Sequence, residues 1–182
     1  MTIKQICYLG KRHGELLIQP LAPVYAIIYE DSLGQLTDQI AQEICVNYGS
    51  TLQFFIQKNL ERSYRSKKFY ERADIPAVGV LSGCTNLKLF ALRERISYGT
   101  ALLLALIAKS QNTTLCLRRN AILKRMNWSE SLVNSKVGEK IVDYNWLRIQ
   151  CKNYGDLENT MSTLTNSTAT VVNDNRYLFL FR

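Results

Sequence analysis

Histidine is almost absent from this sequence: His13, in "KRHGE", is the only one among 182 residues. A Ser–His–Asp or Cys–His catalytic site would therefore depend on that single residue, which we expect to lie in an exposed turn. No other group of potential catalytic residues has a spacing typical of an enzyme. The sequence therefore predicts a protein that is not an enzyme.

Long apolar runs are absent as well. The strongest run, "TALLLALIA" at residues 100–108, is shorter than the roughly 18 residues that span a bilayer, and it indicates a buried helix. The opening stretch, "MTIKQICYLGKRHGELL", lacks the apolar segment of a secretory signal. We therefore expect a cytoplasmic protein with no membrane partner.

Motifs for metals, disulfides and nucleotides are missing too. The cysteines are 5 in number, lie more than 30 residues apart and contain no C-x₂-C pair, which excludes a zinc motif and a dense disulfide framework. We expect reduced thiols, most of them buried. Neither G-x-G-x-x-G nor a P-loop occurs, so the sequence predicts no cofactor.

Positive charge, in contrast, is plentiful. The chain has 23 Lys and Arg against 15 Asp and Glu, which gives a net charge of +8. The excess lies in residues 58–72, with 6 basic and 2 acidic side chains, and in residues 118–152, with 8 and 3. This charge favours a polyanionic partner, either nucleic acid or an anionic membrane surface.

Strand-like and helix-like patterns are mixed over the first 96 residues. The segments "ELLIQP", "PVYAIIYE", "TLQFFIQ", "AVGVLSG" and "NLKLFALRE" are typical of strands, and "LTDQIAQEICVNYG" is typical of a helix that ends at Gly49. The basic stretch "KNLERSYRSKKFYERAD" predicts a solvated amphipathic helix in preference to a surface that stacks single-stranded nucleic acid. We predict an α+β module over residues 1–96 that serves as a sensor or in dimerisation.

The later part of the chain has a different pattern, which begins with an apolar helix at residues 100–109. "LRRNAILKRM" predicts a short helix, "NWSES" a tight turn, and "LVNSKVGEKIVDY" a second helix whose Val133, Val137 and Ile141 repeat every four residues. Asn127 tolerates the left-handed backbone conformation that such a turn needs, and Ser129 or Ser131 can cap the second helix. "NWLRIQCKN" predicts a strand, "ATVVNDNRYLFLFR" predicts a hairpin, and "NTMSTLTNST" predicts a surface loop between them.

This order of elements resembles the winged helix-turn-helix of bacterial transcription regulators over residues 97–182. Residues 126–129 take the place of the turn, Ser131, Val133 and Val137 begin the second helix, and residues 145–149 lead into the wing. The predicted fold class is thus α+β, with an N-terminal mixed α/β module followed by a C-terminal winged helix-turn-helix domain. The resemblance implies a DNA-binding regulator of transcription that acts as a homodimer.

The resemblance also implies which side chains contact double-stranded DNA. Residues that the predicted second helix turns outward are candidates for base contacts, and basic residues before it and in the wing are candidates for phosphate contacts. The candidate DNA-binding residues are Arg118, Arg119, Lys124, Arg125, Ser129, Glu130, Ser131, Asn134, Ser135, Lys136, Lys140 and Lys152. Two alternatives remain open: a plasmid or phage replication initiator, and a winged-helix module that binds another protein in a larger assembly.

Overall fold

The computed structural model describes residues 20, 22–30, 35–59, 68–138, 142–152, 154–165 and 171–181. Strands and helices alternate along these residues in the first two thirds of the chain, and helices predominate after it. In chain order the elements are β1 (Ala26–Tyr29), α1 (Asp38–Tyr48), β2 (Phe54–Gln57), α2 (Asp74–Gly83), β3 (Leu89–Leu92), β4 (Ile96–Ser97), α3 (Tyr98–Gln111), β5 (Thr114–Arg118), β6 (Ile122–Leu123), α4 (Glu130–Lys136), α5 (Tyr144–Gln150), α6 (Leu157–Thr165), β7 (Val171–Val172) and α7 (Asp174–Leu180). Short 3₁₀ turns lie at Phe69–Glu71, Arg119–Ala121 and Tyr154–Asp156.

Five of these strands form one parallel sheet in the order β1-β2-β3-β5-β7, and β4 pairs with β6 in a small second sheet. Parallel neighbours need a crossover connection, and α1, α2 and α3 lie in the crossovers between β1, β2, β3 and β5. The register places Ile27, Phe55, Phe90 and Leu115 side by side across the sheet. Because paired residues share a face, these four side chains form one continuous buried row.

The main core lies between the sheet and α1, α2 and α3. α3 is buried on nearly every side, because α5 and α6 pack on it from outside. This explains why "TALLLALIA" is apolar all round rather than along one stripe. The opposite face of the sheet has a smaller cluster, in which Tyr177 of α7 packs against Ala91, Cys116 and Val172.

Several of the predicted elements are confirmed. "PVYAIIYE", "TLQFFIQ" and "NLKLFALRE" contain β1, β2 and β3, and the predicted helix before Gly49 is α1, with Gly49 as its C-terminal cap. The apolar helix at residues 100–109 is α3. The mixed α/β character of the chain is therefore confirmed, whereas "ELLIQP" falls almost wholly outside the described residues.

One prediction in the first module was wrong: "AVGVLSG" is not a strand but the body of α2. A short apolar run without periodicity does not separate a buried strand from a buried helix. Here α2 is packed between α1 and α3, so most of its side chains are buried and no exposed stripe shows its helical period.

The predictions after residue 112 need larger corrections. "LRRNAILKRM" is not a helix but contains the end of β5, a 3₁₀ turn and β6. "NWLRIQ" belongs to helix α5 and is not a strand of a wing. The predicted hairpin near the end is β7 followed by α7. The predicted loop at residues 159–168 is helical as far as residue 165 in α6. Asp143 and Asn173 explain two of these differences, because each caps a helix start by accepting backbone N–H bonds.

The described residues of 97–182 therefore do not form the predicted winged helix-turn-helix. The predicted boundary lies inside β4, and β3 on one side of it pairs with β5 on the other in the same sheet. That residues 97–182 form a separate domain stays a prediction. The second predicted helix is confirmed in part, as α4, where Val133 and Val137 are buried; Ile141 lies outside the described residues.

Candidate nucleic-acid interface

The irregular segment at residues 124–129, which precedes α4, is anchored to the start of α3. The buried indole of Trp128 donates a hydrogen bond to Thr100 Oγ1 at 2.9 Å, and the Gly99 amide donates to the Arg125 carbonyl at 3.2 Å. Asn127 has a φ of 59°, which confirms the left-handed conformation expected for it in the turn. With its backbone fixed in this way, the segment keeps Lys124 and Arg125 at the surface.

A buried ion pair lies beneath this segment and helps to position it. Arg72 Nε and Asp74 Oδ2 are 2.7 Å apart, and both side chains are almost completely buried. The other carboxylate oxygen of Asp74 accepts bonds from the Ser97 amide, at 2.7 Å, and from the Thr100 hydroxyl. Arg72 also donates to Asn127 Oδ1 at 3.2 Å, so the turn is held through its side chain as well as its backbone.

Helix α5 lies alongside the same segment. The Tyr144 hydroxyl, at the start of α5, donates to the Trp128 carbonyl at 3.1 Å, and the Cys151 thiol, just after its end, lies 3.3 Å from the Met126 sulfur. Leu147 in the middle of the helix is completely buried. These three contacts fix which side of α5 faces the protein.

The other side of α5 faces solvent. Asn145, Arg148 and Ile149 are exposed, and their spacing of three and four residues places them along one side of the helix; Lys152, in the turn directly after the helix, is also exposed. We call these four residues the α5 face. Ile149 is 55% exposed although it is a branched apolar residue.

Helix α4 begins at the cap predicted for it. Ser129 Oγ accepts a bond from the Leu132 amide at 3.3 Å, and Val133 is turned into the core. The candidate residues on this helix are mostly exposed: Glu130, Ser131, Ser135 and Lys136 face solvent, and Asn134 is half-buried. The Ser135 hydroxyl is occupied locally, since it donates to the Leu132 carbonyl at 3.0 Å.

The structure does not bring all the candidate residues together. Arg118 pairs with Asp174 through two hydrogen bonds of 3.0 and 3.2 Å, and Arg119 pairs with Glu158 at 3.0 Å. The Arg118 guanidinium holds the pKa of Asp174 below its usual range.

Lys140 lies outside the described residues. Among the described residues, no ion pair is formed by Arg125, Lys136, Arg148 or Lys152.

Sequence reasoning missed Asn145 and Arg148, because it assigned them to a strand of the wing. A signal was available: Asp143 precedes "YNWLRIQ", and its carboxylate accepts bonds from the amides of Asn145, at 2.8 Å, and Trp146, at 3.3 Å. An acidic residue directly before an apolar-periodic run is a typical helix start. With that start, Tyr144, Leu147 and Cys151 form the inward stripe.

The carboxyl edge of the large sheet, where open parallel sheets often bind ligands, is filled by a buried polar network. The Gln57 amide group donates to Glu94 Oε1 at 2.5 Å, its carbonyl oxygen accepts from the Arg93 amide at 3.1 Å, and all three residues are buried. A cavity near residues 155–159 measures about 120 Å³, below the roughly 300–1,000 Å³ of most small-molecule sites. The buried polar network and the small cavity are therefore more typical of structural packing than of a site that binds a small molecule.

The described part of the chain has neither a membrane-spanning helix nor a metal-binding cluster. Its helices include none with the length and apolar character that a membrane crossing requires. Its His, Cys, Asp and Glu side chains include no group of three or more arranged to hold a metal ion.

Comparison with known proteins adds no family to this description. The chain matches no protein-family model, and neither the curated proteins nor the solved structures contain a significant match.

Proposed function

We propose that this protein binds double-stranded DNA through the α5 face and the adjoining segment at residues 124–129, and that it acts as a cytoplasmic regulator of transcription. The observation that carries the proposal is the α5 face itself. It combines an amide, a cation and an apolar side chain on one side of a helix with a second cation in the turn directly after it, and the opposite side of the helix is fixed by two contacts and by the burial of Leu147. A polar, basic helix face that has no partner among the described residues is suited to a nucleic acid.

The dimensions and chemistry of α5 fit this role. A helix of 7 residues is about 10 Å long, and the major groove of B-DNA, about 12 Å wide, admits an α-helix. Asn145 can pair with the edge of adenine and Arg148 with that of guanine. Lys152 and Arg125, at the far end of the helix and on the neighbouring segment, are suited to phosphate contacts.

The proposal keeps the DNA partner expected from the sequence but not the wing. Residues 145–149, which the winged-helix interpretation assigned to a strand, supply the proposed reading helix instead. Lys136, an exposed candidate on α4, remains a proposed phosphate contact. The predicted homodimer would present two such surfaces to paired half-sites.

Salt-dependent DNA binding tests the proposal. Lys152→Ala should lower the slope of log Kobs against log salt by about one, because it removes a phosphate contact. Arg148→Ala should mainly weaken binding to the preferred sequence, by about 1–3 kcal/mol, because it removes a base-edge contact. Lys109→Ala is the matched control: Lys109 is an exposed cation at the opposite end of α3, about 15 Å along the helix from Gly99. Fluorescence anisotropy with a labelled duplex at several salt concentrations gives all three slopes.

The arginines near the end of β5 provide a second comparison. Arg118→Ala and Arg119→Ala should leave the slope nearly unchanged, because both side chains already pair with carboxylates, whereas Arg125→Ala should lower it. Equal slopes for Arg125→Ala, Lys152→Ala and Lys109→Ala would overturn the proposed surface. Preference for an origin repeat over a promoter would favour a replication initiator.

One observation favours a second candidate, a module that binds another protein. Ile149 is an exposed, branched apolar side chain in the middle of the α5 face, the kind of residue that anchors protein interfaces. This second function would replace the first under two conditions. The chain would bind no DNA duplex at low salt, and a protein that co-purifies with the parent and with Lys109→Ala would no longer co-purify with Ile149→Asp.

A further inference from the structure

Two cysteines from different helices lie next to each other at the contact between α1 and α2. Cys45 is half-buried in the last turns of α1, and Cys84 is buried directly after the end of α2. The Cys45 thiol donates to the Gly79 carbonyl at 3.4 Å. Its sulfur also lies against Gly83, the residue before Cys84, since a Cβ placed on Gly83 would be 2.5 Å away.

Glycines make this approach possible. A Cβ on Gly49, at the end of α1, would lie 2.8 Å from the Gly83 carbonyl oxygen, which shows how closely the two helix ends meet. The Cys84 thiol completes the contact with a hydrogen bond to Cys45. Two thiols from segments far apart in the chain are therefore held side by side, and one of them has access to solvent.

We propose that Cys45 and Cys84 form a reversible oxidation site, in which a hydroperoxide converts the two thiols to a disulfide. The Cys45 thiolate attacks the peroxide, its sulfur bonds to one oxygen, and the O–O bond breaks to give a sulfenic acid and hydroxide, which takes up a proton as water. The Cys84 sulfur then attacks the sulfenic sulfur. The S–O bond breaks, the Cys84 proton leaves with the oxygen as water, and a thiol reductant restores both thiols.

The division of roles follows from hydrogen bonding and burial. The bond from Cys84 lowers the pKa of the Cys45 thiol, although burial opposes this, and the same bond raises the pKa of Cys84. Burial raises the pKa of Cys116 to about 12 and that of Cys151 to about 11. Since the thiolate is the reactive form, Cys45 should react first among these four.

The oxidation experiment uses the full chain with Cys7→Ser, because Cys7 lies outside the described residues. The protein is treated with hydrogen peroxide slightly above its own concentration, alkylated, digested and analysed by mass spectrometry. The expected product is one linked pair of peptides, containing Cys45 and Cys84, that disappears on reduction. Cys116→Ser and Cys151→Ser should form the same link at the same rate.

Two more measurements separate the proposal from chance proximity. Cys84→Ser should leave a sulfenic acid on Cys45 that dimedone traps, whereas Cys45→Ser should leave Cys84 unoxidised. Without replacing either cysteine, one phenylarsine oxide per chain, which bridges neighbouring thiols, should protect Cys45 and Cys84 together from alkylation. Absence of the linked peptides together with independent alkylation of the two thiols in the presence of phenylarsine oxide would overturn the proposal.

Discussion

Replacing Asp74 by Asn should destabilise the protein strongly, because it removes one partner of the buried Arg72–Asp74 ion pair. The two atoms are 2.7 Å apart, and the side chains are 1% and 0% exposed. Leaving a buried cation without its anion costs about 3–5 kcal/mol. Asparagine keeps the shape of the side chain and an oxygen acceptor for the Ser97 amide and the Thr100 hydroxyl, so we expect a loss of about 3 kcal/mol, the lower end of that range.

A double-mutant cycle tests whether charge is the cause. Arg72→Met in addition to Asp74→Asn removes the uncompensated cation, so the double variant should be more stable than the single Asp74→Asn variant. Free energies of unfolding come from urea titration followed by circular dichroism. Glu158→Gln breaks the exposed Arg119–Glu158 pair and should change stability by less than about 1 kcal/mol.

The reasoning would be refuted if Asp74→Asn lost no more stability than Glu158→Gln. It would also be refuted if Arg72→Met lowered the free energy of unfolding by the same amount in the Asp74→Asn variant as it does in the parent protein. Because small domains have only about 5–15 kcal/mol of total stability, the expected loss is large enough to shift the urea midpoint clearly.

Three further predictions follow from other contacts. Gly83→Ala should lower the free energy of unfolding by about 1–3 kcal/mol, because the new Cβ would lie 2.5 Å from a thiol sulfur on α1. Gly79→Ala, in the same helix, would place its Cβ more than 4 Å from any neighbouring atom and should stabilise the protein by about 0.5–1 kcal/mol. Urea midpoints of the two variants test this difference. Asn127, with φ of 59°, should tolerate Gly in thermal unfolding better than Ala. Arg118 lowers the folded-state pKa of Asp174, so the ionised Asp174 stabilises the protein at pH values above its ordinary pKa of 3.8. This contribution to stability is lost as the pH falls through the lower folded-state pKa. The difference in urea midpoint between the parent and Asp174→Asn should therefore shrink over that pH range.

The first half of the fold could be predicted because its signals are local. β-branched and aromatic runs bounded by turns identify β1, β2 and β3, and the apolar stripe of α1 ends at a glycine that caps it. The parallel pairing of the strands could not be predicted in the same way. It depends on contacts between segments more than twenty residues apart, such as Phe55 with Phe90, whose rings stack at 5.0 Å.

The second half was interpreted wrongly where tertiary contacts override a local pattern. Residues 117–126 have helical spacing, but β3 and β7 pair with β5 on either side and draw its end into the sheet as a strand. Residues 145–149 contain aromatic and branched side chains typical of a strand, but the Asp143 cap and the burial of Leu147 against the core favour a helix. Each residue type was compatible with both structures, so packing decided between them.

The candidate site shows the same division between what composition determines and what packing determines. Lysine and arginine stay at the surface in almost any fold, so a basic region at residues 118–152 could be inferred without the correct structure. Which of its cations are available to a partner could not, because that depends on carboxylates brought near by the fold. Asp174 and Glu158 come from later segments and pair with Arg118 and Arg119. Arg148 has no such carboxylate among the described residues, since its side of α5 faces solvent, and this difference makes it a better candidate for a DNA contact than either of the two arginines that the sequence favoured.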